Sequence, residues 1–280
     1  MVTANGSSFH AALAGEPGAP LVVLLHSYPQ FWWAWRAQIP RLAESGFRVA
    51  AMDLRGFGAS DKSARNIATP RSCFDVAGLV SSLGYSDAAI VGHGLGAQVA
   101  WSMPGFAPEV TRAVVTLAAP HPLTLHRHRL PAGTWAWLQW AQVPWFPERR
   151  VTHGTAVADF LRAWSHVPDD VVSQEPLYTE TMRLPFAAHC AMEHFRWQVR
   201  SSMRNDGRWY LRHLRDAVAV PTLSLHGAHD ELFPASLHAF DAEVVPHAEY
   251  REVPGAGHFL PEEAPDAVSD ALIGFLRSPG

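Results

Sequence analysis

Short apolar runs alternate with longer amphipathic stretches along most of the chain. The runs Leu21–Leu25, Arg48–Met52, Ala88–Val91, Arg112–Leu117, Thr222–Leu225 and Glu249–Val253 are mostly apolar and only a few residues long. That is the pattern of strands buried on both faces of a parallel sheet. Helical spacing covers Trp32–Glu44, Cys73–Leu83, Gly96–Met103 and Pro265–Leu276, the last opening at a proline beside acidic residues. The alternation predicts an α/β fold.

Between about His121 and Ala217 the strand signal vanishes and tryptophan, arginine and histidine accumulate at helical spacing. Because the strand pattern resumes at Val220, this stretch is expected to be a helical cap inserted between two strands. The core would then be residues 1–121 and 215–280, and the cap residues 122–214. Apolar walls for a pocket are expected from Trp135–Trp145 and Met192–Trp197.

Composition narrows the choice of function. With 48% hydrophobic and 17% charged residues the 280-residue chain is globular. A formal net charge of −4 gives no reason to expect nucleic acid or acidic lipid as a partner. No apolar run approaches a membrane span. Two cysteines, Cys73 and Cys190, suit a reducing compartment, and the first fifteen residues do not read as a signal peptide, so a cytoplasmic protein is expected. Sixteen histidines include the close pairs His126/His128 and His226/His229, but none fits a metal template. No metal or cofactor is expected, and a homodimer is an allowed state.

Three segments at strand ends carry the chemistry, because open α/β sheets bind ligands at the carboxyl ends of their strands. In Val91–Ala97, VGHGLGA, a strand turns through glycines into a helix, as in a G-x-nucleophile-x-G elbow. The central position is Gly94, which has no side chain. Gly92 and Gly96 are expected to leave room around it. Asp230 follows the strand ending at Leu225, and His258 follows the strand ending at Val253. Acid then histidine, each after a strand, is the chain order of a nucleophile–acid–histidine triad. The loop His26–Ser27–Tyr28–Pro29 follows the first clear strand, and an amide near Tyr28 is expected to form an oxyanion hole with that of Leu95. Ser27, in the same loop, could approach the site but reads as a turn residue, and His93 reads as packed beneath the site. His26, Trp33, His93, Tyr178 and His194 are the expected pocket residues.

The segments HSYPQFWWAWRAQIP, MDLRGFGASDK, VGHGLGAQVAW, AAPHP, HGAHD and GAGHFLPEEAP resemble the α/β-hydrolase superfamily, and within it the epoxide-hydrolase-like branch of actinobacterial type. The resemblance spans nearly the whole chain. It implies an eight-stranded, mostly parallel sheet flanked by helices with an inserted cap, with Asp230 as the acid and His258 as the base of a triad and Asp53, in MDLRG, as a structural anchor of its loop. Epoxide hydrolases attack with an Asp at the elbow, a step that Gly94 forbids here. They also hold the epoxide oxygen with two cap tyrosines; the cap of this chain offers Tyr178 and Tyr210, with His194 and Phe195 where one family tyrosine commonly stands. Leu95 replaces the tryptophan by which haloalkane dehalogenases hold halide. The expected activity is hydrolysis of a small or medium apolar epoxide or ester in a capped pocket, weak, water-based or absent. The alternatives are a non-catalytic ligand-binding pseudo-hydrolase and an engineered nucleophile-to-glycine variant.

Overall fold

A computed structural model describes residues 1–63 and 67–278. Nine strands form two sheets among those residues: β1 (Val2–Ala4), β2 (Ser7–Phe9), β3 (Ala11–Ala14), β4 (Leu21–Leu25), β5 (Arg48–Met52), β6 (Ala88–His93), β7 (Thr111–Leu117), β8 (Thr222–Gly227) and β9 (Glu249–Val253). β1 and β2 pair as a separate antiparallel hairpin. The remaining seven form one sheet in the order β3-β5-β4-β6-β7-β8-β9, with only β3 antiparallel. The expected eight-stranded sheet is thus a seven-stranded one. The short polar segment that precedes it pairs with itself instead, against the helix Thr69–Ser82.

β4 through β7 carry the apolar runs, and nearly all their residues are buried on both faces. One layer of the core takes Val23, Leu25 and Ile90 against the helix Leu95–Phe106; the other takes Val22, Leu24 and Val91 against the helix Pro265–Arg277. The chain leaves β4 toward β5 on one side and returns to β6 on the other. The carboxyl ends of β4 and β6 therefore flank the point where strand order reverses, the usual place for a ligand crevice.

From Pro122 to Arg215 the chain is helical, lying between β7 and β8. Its longest helix, Ala187–Arg200, buries Cys190, Met192, His194, Phe195 and Trp197. No helix among the described residues is long and apolar enough to cross a membrane, and both cysteines are free and buried.

Candidate active site

Four loops converge above the carboxyl ends of the central strands. Gly94 joins β6 to its helix with φ +52° and ψ −108°, a conformation that glycine adopts without a Cβ clash. Around it the backbone is close-packed: a Cβ at Gly92 would lie 2.2 Å from the Gly96 carbonyl oxygen, and one at Gly96 would lie 2.2 Å from that of Leu25. These glycines therefore permit a tight strand-to-helix contact and provide no spare room.

Asp230 and His258 meet in the interior. Asp230 Oδ1 accepts the amides of Leu232 and Phe233 at 2.8 and 2.9 Å, and Oδ2 lies 3.0 Å from His258 Nδ1. With Nδ1–H donating to the carboxylate, Nε2 is left as a lone pair. That nitrogen lies 3.5 Å from where a Cβ on Gly94 would stand. The loop carrying His258 is fixed from both ends. Its amide donates to the Trp164 carbonyl of the cap, and its carbonyl lies 2.8 Å from His93 Nε2. Glu263 adds a further clamp, accepting the amides of Gly257 and Phe259 from the loop and of His166 and Val167 from the cap. The acid-rich EEAP sequence reads as a helix start, which is why Glu263 escapes sequence reasoning.

A small cavity of about 30 Å³ lies in front of Gly94, bordered by Ser27, Tyr28, Leu95, His258 and a ring of cap and core aromatics. Tyr28 meets Phe160 and Phe195 edge-on and tilts against Trp137. The volume suits about one water. Gln98, Leu138, Gln198 and Phe233 also line a neighbouring open cleft of about 800 Å³, walled by Leu130, Trp135, Trp197 and Leu211.

Sequence and structure part company over which side chains reach this cavity. Gly94, Leu95, Tyr28 and His258 line it, with Asp230 behind His258. Five expected pocket residues do not. His26 turns into the core, its Nδ1 against the Ser27 carbonyl and its Nε2 receiving the Leu54 amide. His93 lies behind the site, between Gln30 and the His258 carbonyl. Trp33 donates to Gln174, and Tyr178 donates to buried Glu262, which also takes Arg36. His194 packs on Phe57 and donates toward the Arg55 carbonyl. Burial keeps these histidines neutral: His26 and His93 are depressed, His93 further by nearby His258, and His194 falls to about 4. Of the expected walls, Trp137 and Phe195 line the small cavity and Trp135 and Trp197 the cleft, whereas Trp145 is 82% exposed. Asp53 anchors its loop as expected, accepting the amides of Trp32 and Ala59.

Ser27 is the residue that sequence reasoning undervalued. It is buried, and its Oγ accepts the Leu95 amide at 3.3 Å. A Cβ on Gly94 would lie 2.0 Å from that oxygen and 2.7 Å from the Ser27 Cβ. The serine side chain thus fills the volume in which an elbow side chain would begin.

Comparison with known proteins follows the same lines. The model of the alpha/beta hydrolase fold family matches residues 20–265. Epoxide hydrolase 4 of Mus musculus is 30% identical, over 98% of this chain and 77% of its own length. Epoxide hydrolase A of Mycobacterium tuberculosis is 29% identical, over 99% of this chain and 96% of its own. The crystal structure of Epoxide Hydrolase A from Mycobacterium thermoresistibile matches with a TM-score of 0.79 at 25% identity, covering 99% of this chain and 97% of that one.

Proposed function

Because the chain belongs to the α/β hydrolase fold family, in its epoxide-hydrolase-like branch, we propose that it hydrolyses a small or medium apolar epoxide or ester beneath its cap. His258 acts as general base and Asp230 orients it. The observation that carries this reading is the buried Asp230–His258 contact, with Nε2 free and turned to the cavity at Gly94. A hydroxyl held there gives its proton to Nε2 as its oxygen attacks the electrophilic carbon. The charge that develops on the substrate oxygen is met by the Tyr28 amide and by that of Leu95, which in the resting site donates to Ser27 Oγ. General-base catalysis of this kind is worth about 10²–10⁴-fold. An aspartyl-ester intermediate at position 94 is impossible with glycine.

The test is turnover of an epoxide and ester panel by the full chain, by His258→Ala and by Asp230→Asn. The reading requires both variants to fall toward background. Equal rates for all three proteins would sink it. Binding of panel compounds without turnover would favour instead a ligand-binding protein, a reading that the missing elbow side chain supports.

A further inference from the structure

The hydroxyl that faces His258 belongs to the protein. We propose that Ser27 is a relocated nucleophile and that the substrate class is a carboxylic ester with an apolar chain, an inference that rests on His258 being the base. Ser27 Oγ and His258 Nε2 lie 2.0 and 3.5 Å from the same point, the Cβ position of Gly94, so they are no more than 5.5 Å apart. Among the described residues neither the Ser27 proton nor His258 Nε2 has another partner. Such pairs are often loose without substrate and close in the Michaelis complex. The Leu95 amide, at the N-terminus of its helix, already donates to the Ser27 oxygen and favours negative charge on it. Base, orienting acid and serine are thus arranged as in a triad, with the serine on the loop after β4 instead of at the elbow.

The chemistry selects the substrate. His258 takes the Ser27 proton while Oγ bonds to the acyl carbon; the alkoxide leaves with that proton, giving an acyl-serine and an alcohol. Water, deprotonated by His258, then attacks the acyl carbon, releases the carboxylic acid and returns the proton to Oγ. Attack on an epoxide would instead give a serine ether, which water does not cleave, so an epoxide would be an inactivator. Two buried donors without partners among the described residues, Tyr28 Oη and Trp137 Nε1, belong to residues lining the small cavity and would receive the ester carbonyl. Burial pushes the Tyr28 phenol up, which keeps its proton in place. The cleft beyond Leu138 and Phe233 accommodates the chain along its apolar wall of Leu130, Trp135, Trp197 and Leu211, with His126, His128 and Arg129 also lining it.

The experiment uses p-nitrophenyl butyrate with the unsubstituted chain, read by a p-nitrophenol burst and by mass spectrometry of acid-quenched peptides. Expected are a burst stoichiometric with protein and a butyryl group on Ser27. Ser27→Ala should lose the burst and turn over about 10²-fold slower or worse. Adduct mapping needs no variant, so it stands even if Ser27→Ala misfolds. The proposal is overturned by no ester turnover, by an adduct elsewhere, or by Ser27→Ala matching the parent. In the last case a slow His258→Ala would leave water as nucleophile and the hydrolase reading intact. A His258→Ala protein as fast as the parent would remove both.

Discussion

His93 Nε2 lies 2.8 Å from the carbonyl oxygen of His258, while Nδ1 of the same ring faces Gln30 Oε1 at 3.0 Å. The ring is buried and does not line the small cavity, so it acts on the reaction through the histidine it supports, by the His258 carbonyl and by a ring contact at 5.2 Å. Gln30 continues the chain of contacts to Glu262, which burial pushes up despite Arg36. His93→Phe keeps most of the volume and removes the polar contacts. Leaving a buried acceptor without its donor costs about 1–3 kcal/mol. A small displacement of His258 should lower kcat by roughly 10–100-fold, with KM little changed. Steady-state kinetics beside urea unfolding tests the split; a fall in stability with kcat intact would make His93 a packing residue only.

Acid should weaken the fold through buried histidines. Burial depresses both His121 and His194 from 6.5 to about 4. Between those values the unfolded chain binds protons that the folded chain refuses, so stability is full above about pH 6.5 and drains as pH falls toward 4. Each ring contributes up to about 3 kcal/mol to that loss. His121 caps the helix Pro122–Arg127 by accepting the Leu123 amide, and His194 docks the cap on the Arg55 carbonyl. His194→Gln should flatten the dependence of unfolding free energy on pH in this window by about one proton. An unchanged slope would mean that other groups govern the acid limb.

The Arg55 side chain, below the carbonyl that takes His194, forms a buried ion pair within the core. Arg55 grips Asp75 through two bonds of 2.7 and 2.8 Å, and a third nitrogen donates to Ser7 Oγ. Both partners are nearly inaccessible. Asp75→Asn leaves the guanidinium buried without its counter-charge and should cost about 3–5 kcal/mol. Asp75→Leu with Arg55→Met should cost less, because neither charge then remains. Urea unfolding of the three proteins measures the order, and a single variant milder than the double would reverse the argument.

Why some of this was legible and some was not follows from what a sequence encodes. β4 and β5 match their expected bounds because short apolar runs between turns admit few alternatives, and β9 matches too although its sequence, EYREV, is largely charged and exposed. Other edges drift where chemistry is local: the helix expected from Cys73 starts at Thr69, ahead of a proline in its first turn. The stretch expected as one helix from Trp32 splits into a 3-10 turn, Trp32–Trp35, and a helix, Gln38–Glu44. Chain order and strand ends bring Asp230, His258 and Gly94 to one place. Ring direction is another matter. His26 and Tyr178 sit on the expected loop and cap, yet each turns toward a buried polar partner that periodicity does not encode. Ser27 is harder still, since its meaning is a volume shared with a residue far away in the chain.

That shared volume makes Gly94→Asp a poor single change. A side chain there meets Ser27 Oγ at 2.0 Å and its Cβ at 2.7 Å, so removing the hydroxyl alone would not clear the way. The backbone at φ +52° adds strain of about 1–3 kcal/mol for a non-glycine residue. Gly94→Asp should therefore lose several kcal/mol by about the sum of strain and overpacking, and should not hydrolyse epoxides. Adding Ser27→Gly removes both clashing atoms. The double variant should recover all but about 1–3 kcal/mol of the parent stability, and its Cβ would stand 3.5 Å from His258 Nε2. Epoxide opening through an aspartyl ester should then appear, together with loss of the Ser27 acyl adduct from p-nitrophenyl butyrate. Unfolding curves and diol formation on the parent, the single and the double variants decide it. If the double variant folds but stays inert, positions 27 and 94 are not the only changes separating this chain from a working epoxide hydrolase, and the cap aromatics around Trp137 become the next suspects, because they wall the cavity in front of the new carboxylate.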